Sequence, residues 1–203
     1  MSMRTQWLRK LLSPAIRRGR AFGRDEGGVT VVEFGILALP FFTIVTAILE
    51  TSMIFLAGQI LDSAVQDSAR LIRTGQAQSS TPPYTPDDFR NAICDGLYGM
   101  FDCDPGDGRL RVNVSVIADF AAASTGYPLQ IGDECEPEGC QWTLEDDYVP
   151  GTGGDVILVR AYYKWPTILN FPGFNFDTLP DGTRLLGAAR VFKNEPFACS
   201  DCT

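Results

Sequence analysis

Thirty consecutive residues, Val29 to Gly58, carry two charges, Glu33 and Glu50. About 20 apolar residues are enough to cross a bilayer. The run therefore specifies a membrane-spanning helix before the rest of the chain is considered. It is too long for the apolar core of a secretory signal, roughly 7–15 residues, and "FLAGQ" at 55–59 is a poor cleavage site after it. Pro40 removes one backbone donor, which a membrane helix tolerates when neighbours satisfy the freed carbonyl.

Charge is divided around this run. Residues 1–28 hold seven Lys or Arg against two acids, whereas the remainder holds ten against twenty-three. Cations beside a membrane helix stay on the cytoplasmic face. Arg4, Arg9, Lys10, Arg17, Arg18, Arg20 and Arg24 thus place the N-terminus inside and everything after residue 58 outside, as in a single-pass membrane protein. Membrane lipid is the first partner implied. An acidic outer domain makes nucleic acid an unsuitable one, since binding phosphates requires clustered Lys and Arg. All six cysteines, Cys94, Cys103, Cys135, Cys140, Cys199 and Cys202, follow the run, and an even number in an oxidising compartment reads as disulfides. Local pairs, 94 with 103, 135 with 140 and 199 with 202, are the simplest of fifteen arrangements. The chain has no histidine, which removes the commonest general base and the commonest metal ligand.

Beyond Gly58 the pattern turns amphipathic. Ile60, Leu61, Ala64, Val65, Ala69 and Ile72 recur at helical spacing, with Asp62, Gln66, Asp67, Arg70 and Arg73 opposite. The helix is expected over about 30–74, with Gly75 as its stop. A turn-rich linker, "SSTPPYTP" at 79–86, precedes a short helix over 87–100 whose apolar spacing runs through Phe89, Ile93, Leu97 and Met100. Three β-rich runs follow at 109–120, 155–169 and 183–193. In the first, Leu110, Val112, Val114 and Val116 alternate with Arg111, Asn113 and Ser115, the mark of a half-buried strand. The expected fold class is α+β: a long N-terminal transmembrane helix packed by its outer half on a small antiparallel sheet. The domain reading is a basic leader 1–28, a spanning segment 29–58, an amphipathic continuation 59–78 and a head 79–203.

Motif-like stretches in the head have plain readings. "DCDPGDG", 102–108, has its glycine and third acid out of register for a calcium loop, so it reads as an acidic turn. "PGTGGD", 150–155, lacks the Gly-Lys-Ser/Thr ending of a phosphate loop and precedes a strand. "CSDC", 199–202, has neither a second CxxC nor a histidine to complete a zinc site. Trp142, Tyr162, Tyr163 and Trp165 read as core or sheet-face residues. No metal site, cofactor or catalytic residue is expected.

Glu33 is the residue that calls for an account. An acid at the bilayer centre costs about 2.5–3.5 kcal/mol on insertion scales and usually has a partner. Either Glu33 is shallow and reaches the headgroups, or something compensates it. A cut after Gly28 would make Val29 an N-terminus with an α-amine of pKa about 8. Glu33 would then be the fifth residue, one helical turn from that amine or within reach of a neighbouring subunit's.

This arrangement, a basic leader ending in glycine, a cut before an apolar helix, Glu33 at the fifth mature position and Phe34 after it, resembles the class III signal of type IV pilins, most closely the Flp type. "RDEGGVTVVEFGILALPFF" (24–42), "DSARLIRTGQAQ" (67–78) and "ARVFKNEPF" (189–197) are similar to the TadE-like pseudopilins of the tight-adherence (Tad) pilus system. Nothing between about 79 and 183 carries the resemblance. It implies a structural component of pilus assembly, adherence or secretion in a bacterial inner membrane, with its head in the periplasm, with a prepilin peptidase cutting between Gly28 and Val29 and with Glu33 and Phe34 setting assembly register. The implied partners are that peptidase, other pseudopilins and pilins, and the Tad inner-membrane platform and assembly proteins. The leader departs from the pattern in its length: Trp7, Leu8, Leu11, Leu12 and Ile16 among basic residues suit a short interfacial helix. Two rivals stand beside this reading. One is an uncleaved anchor carrying an outer binding or adhesin head. The other is a tethered enzyme using carboxylates or terminal thiols, which the lack of any nucleophile–base constellation disfavours.

Overall fold

The computed structural model describes residues 26–124, 126, 128–129, 141–171 and 174–197. Cys135, Cys140, Cys199 and Cys202, and the leader's interfacial stretch, lie outside these residues. The chain divides into two units, Met1–Ile48 and Leu49–Thr203.

Helix α1, Glu26–Arg73, is continuous through Pro40. In the first unit its side chains from Thr30 onward have no core to enter, and Phe34, Leu37, Leu39, Phe41 and Phe42 are all exposed. Helices apolar all round belong in a membrane or inside an assembly. The hydroxyls of Thr43 and Thr46 donate to the carbonyls of Leu39 and Phe42 at 2.8 and 2.7 Å. Their polar atoms are thus satisfied within the helix, and neither obstructs an apolar setting.

In the second unit α1 acquires a stripe. Ile54, Ala57, Leu61, Ala64, Val65, Ala69 and Ile72 are buried at three- and four-residue spacing and share one core with the sheet. This is the amphipathic face anticipated after Gly58, reaching back to Ile54. The helix ends at Arg73; Gly75 adopts φ 76°, a left-handed conformation that favours glycine, and a one-turn helix α2, Gln76–Ser79, follows.

Helix α3, Pro86–Asp95, starts with Thr85 and Asp88 in a reciprocal capping box and Pro86 in its first turn. Burial of Phe89 and Ile93 holds it to the core. It is shorter than the apolar spacing to Met100 suggested, because Tyr98 (φ 52°) and Gly99 (φ 69°) turn the chain left-handed; Leu97 is buried from that turn. Gly96, the C-cap, lies against α1: a Cβ there would sit 2.9 Å from the Ala64 Cβ. Two small residues thus set how closely α3 approaches the long helix.

The three alternating runs form β1, Leu110–Ile117, β3, Val156–Pro166, and β6, Thr183–Lys193. Between them lie the short strands β2, Asp147–Tyr148, β4, Asn170–Phe171, and β5, Phe174–Asn175. The main sheet has the order β2-β1-β3-β6. β3 is antiparallel to both neighbours, with Val112 opposite Ala161 and Arg160 opposite Ala189. The sheet is mixed rather than wholly antiparallel, since β2 joins β1 in parallel. Next to β2, the Asp146 carboxylate accepts the Val112 N–H at 2.8 Å and guanidinium bonds from Arg90 and Arg111 at 2.6 and 2.8 Å, which hold this segment beside β1. Leu110, Val112 and Val114 face the core as the alternation required, whereas Val116 emerges. Tyr163 is buried and stacks edge-on with Phe101 at 4.7 Å, beside Trp165. Trp142 joins a small cluster with Leu129 and Leu179 and donates its indole N–H to the Gly108 carbonyl at 2.7 Å.

Candidate functional site

Gly28, Val29, Glu33 and Phe34 all lie on α1. Four residues is one helical turn, so the peptide positions of Val29 and Glu33 follow each other on one face. Glu33 is exposed, and no other side chain among the described residues bonds to it. Phe34 beside it is 67% exposed. The first unit therefore presents a carboxylate in a field of uncovered apolar side chains.

Glu50, the other charge in the run, is placed differently. It is 6% exposed, and its two oxygens accept the backbone N–H groups of Ile168 and Leu169 at 2.7 and 2.8 Å. Its role is structural: it anchors the chain where β3 gives way to the β4–β5 hairpin. Sequence reading registers Glu50 as a charge but supplies no partner, because its partners are backbone amides more than a hundred residues away.

The two stretches that flank the head, "DSARLIRTGQAQ" and "ARVFKNEPF", meet in space. The Glu195 N–H donates to the Arg73 carbonyl at 2.9 Å. A Cβ on Gly75 would lie 2.6 Å from the Phe197 ring, so this glycine is required both by its backbone angle and by close approach. Gln78 and Asn194 each donate a side-chain N–H to the Pro150 carbonyl, at 3.1 and 3.0 Å. Arg190 pairs with Asp62 on α1 and reaches Gln66 at 3.4 Å. The last strand is thus tied to the end of the long helix by backbone, amide and ionic bonds together.

Cys94 and Cys103 form a disulfide with a Cα separation of 6.2 Å, joining α3 to the turn before β1. In that turn the Asp102 carboxylate accepts the Asp104 N–H at 3.0 Å, and the Asp104 carboxylate accepts the Gly106 N–H at 2.8 Å. These acids close turns. The Asp155 carboxylate does the same in the glycine-rich loop, accepting the Thr152 N–H at 2.7 Å. A groove of about 390 Å³ between α1 and β6 is lined by Gln66, Asp67, Arg70, Arg73, Arg190 and Phe192. Arg73 pairs with Glu195 and Arg190 with Asp62, which makes it a surface of ion pairs with no nucleophile beside a base. Burial pushes the Tyr148 and Tyr162 hydroxyls up, so both stay protonated across the physiological range.

Comparison with known proteins bears on the helix alone. No curated protein and no solved structure matches the chain. The family model described as TadE-like protein matches residues 28–70, from the glycine before Val29 to Arg70 near the end of α1. Over those residues, about a fifth of the chain, it is similar to the TadE-like family.

Proposed function

We propose that the protein is a pilin-like structural subunit of a Tad-type pilus assembly, anchored by α1 with its N-terminus in the cytoplasm and its head in the periplasm. A prepilin peptidase removes the basic leader after Gly28. The new Val29 amine, on the mature chain or a neighbouring one, then compensates Glu33, while the apolar side chains exposed from Val31 to Ile48 pack against lipid and against the helices of other pilins. The observation that carries this reading is the exposed Glu33, one turn after Val29 on a segment matching the TadE-like family. A buried charge is tolerated in lipid when an opposite charge meets it, and cleavage is what creates that charge. No step requires a catalytic residue, cofactor or metal of this chain.

The test is the N-terminal sequence and intact mass of the protein extracted from its native membrane. A mature chain beginning at Val29 is expected. A chain retaining Arg24 and the residues before it would contradict processing and leave an uncleaved anchor with an outer binding head.

A further inference from the structure

The main sheet ends on one side in β2, two residues long, and on the other in β6, eleven residues long. In an antiparallel ladder, alternate residues of an edge strand bond to their partner strand, and those between turn both backbone groups away from it. Three contacts fix which residues of β6 do which. The Asn194 N–H donates across the ladder to the Asp155 carbonyl at 2.8 Å, whereas the Leu185 N–H donates to the Thr178 hydroxyl at 3.0 Å and the Ala189 carbonyl accepts the Arg190 guanidinium at 2.9 Å. Leu185, Gly187, Ala189 and Val191 therefore present their N–H and C=O groups at the free edge.

The chain covers the start of this edge itself, since the Thr183 carbonyl accepts the N–H groups of Thr178 and Leu179 at 3.0 Å. From Gly187 to Val191 the Ala189 carbonyl is the one outward group with a partner among the described residues. Long edges are usually defended by Lys, Pro or a bulge. This one reads Leu-Leu-Gly-Ala-Ala-Arg-Val over 185–191, and its single charge, Arg190, is drawn aside to Asp62 on α1. Gly187 is exposed, and the place a side chain would take there is filled by the Tyr162 ring, 2.8 Å from a Cβ. The groove between β6 and α1 adds charge. Arg73 and Arg190 are paired with Glu195 and Asp62, which leaves Arg70 in the groove and Lys193 at the end of β6 without an ion pair among the described residues, against one such acid, Asp67.

We propose that the free edge of β6 is a docking site for an extended, acidic segment of a different protein, which adds a strand beside Gly187–Val191 and sets a carboxylate against Arg70 and Lys193. Backbone bonds supply the affinity of such strand addition, and side chains at its ends supply the selectivity. A second copy of this chain does not fit as the donor. Its β1 and β3 are paired on both sides, so it could offer only its own β6. Two β6 strands in parallel would bring both pairs of unpaired cations together. In antiparallel they would run the outer halves of α1 in opposite directions, because Arg190 lies by Asp62 and Glu195 by Arg73. Copies anchored alike in one membrane cannot do that, and this exclusion rests on the anchoring proposed above.

The experiment uses the full chain in its native host, with the photoreactive residue benzoyl-phenylalanine placed singly at Val191, which lines the groove, or at Tyr98, exposed beyond α3. The cross-linked peptide is identified by mass. Expected is an adduct at Val191, and not at Tyr98, with an acidic segment of another protein, and its loss in two variants. Ala189→Pro removes an outward N–H and leaves the ladder to β3 intact, as proline at an edge does. Arg70→Glu reverses the charge without touching the backbone, so it remains readable if the proline lowers the melting temperature of the head. No adduct at Val191, an adduct with a second copy, or an adduct that survives both variants would overturn the docking site. Recovery of the chain in the membrane or the soluble fraction reports on the anchor separately.

Discussion

Glu33 and Glu50 stand on the same helix, in the same apolar run, and have opposite surroundings. Glu50 is buried by its own chain and gives both oxygens to backbone amides. Glu33 is exposed among apolar side chains and finds no side-chain partner among the described residues. Identical chemistry thus serves two ends: an acid whose partners are folded around it is part of the head, and one left open is available to something outside the chain. The same contrast runs through the helix itself. Its first half exposes Val, Leu, Ile and Phe on all sides, while its second half buries a single stripe rich in alanine.

Substitutions separate the two halves. The largest change in head stability is expected at Glu50: Glu50→Ala leaves two amides without their acceptor and should cost about 2 kcal/mol in the unfolding free energy measured by urea denaturation in detergent. Glu50→Gln, which keeps one acceptor oxygen, should cost less. If Glu50→Ala melted like wild type, the distinction between the two carboxylates would be lost. Next is Gly96→Ala, whose methyl would meet Ala64 at 2.9 Å and should cost roughly 1–2 kcal/mol by overpacking; Ala64→Gly in the same chain should recover part of it. Smaller is Thr85→Ala, which removes a helix cap and should cost about 1 kcal/mol.

The smallest effect is a pH dependence at the same cap. The Thr85 hydroxyl and amide hold the Asp88 carboxyl below the usual aspartate range. A carboxyl whose folded pKa is depressed contributes stability above its unfolded pKa and loses it as pH falls through the folded one. The difference in melting temperature between wild type and Asp88→Asn should therefore be constant near neutrality and shrink below about pH 4. A difference that grew on acidification would contradict the capping arrangement.

What was legible in the sequence was periodic. The apolar run, the stripe from Leu61 to Ile72 and the alternation in β1 each have a repeat that burial imposes, and each appears in place. What was not legible depends on single polar groups meeting across long separations. Asp146 binds Val112, Arg90 and Arg111 beside the parallel strand, a pairing that alternation could not reveal. Glu50 meets amides 118 and 119 residues away. The short α3 fails a periodicity that continues past it, because Tyr98 and Gly99 reverse the backbone while Leu97 still reaches the core. At the candidate site, Gly28, Val29, Glu33 and Phe34 lie within seven residues of one helix, so their spacing is a local feature. The joining of "TGQAQ" to "NEPF" around Gly75 could not.

On the proposed function Glu33 is satisfied by another chain or by a newly made terminus, whereas Glu50 is satisfied by its own fold. The most direct test is Glu33→Gln in the native host, measuring how much mature protein is recovered in assembled pilus material relative to the membrane. Pairing of Glu33 outside its own chain predicts normal membrane insertion and processing with incorporation strongly reduced and head stability unchanged. Wild-type incorporation of Glu33→Gln would contradict it.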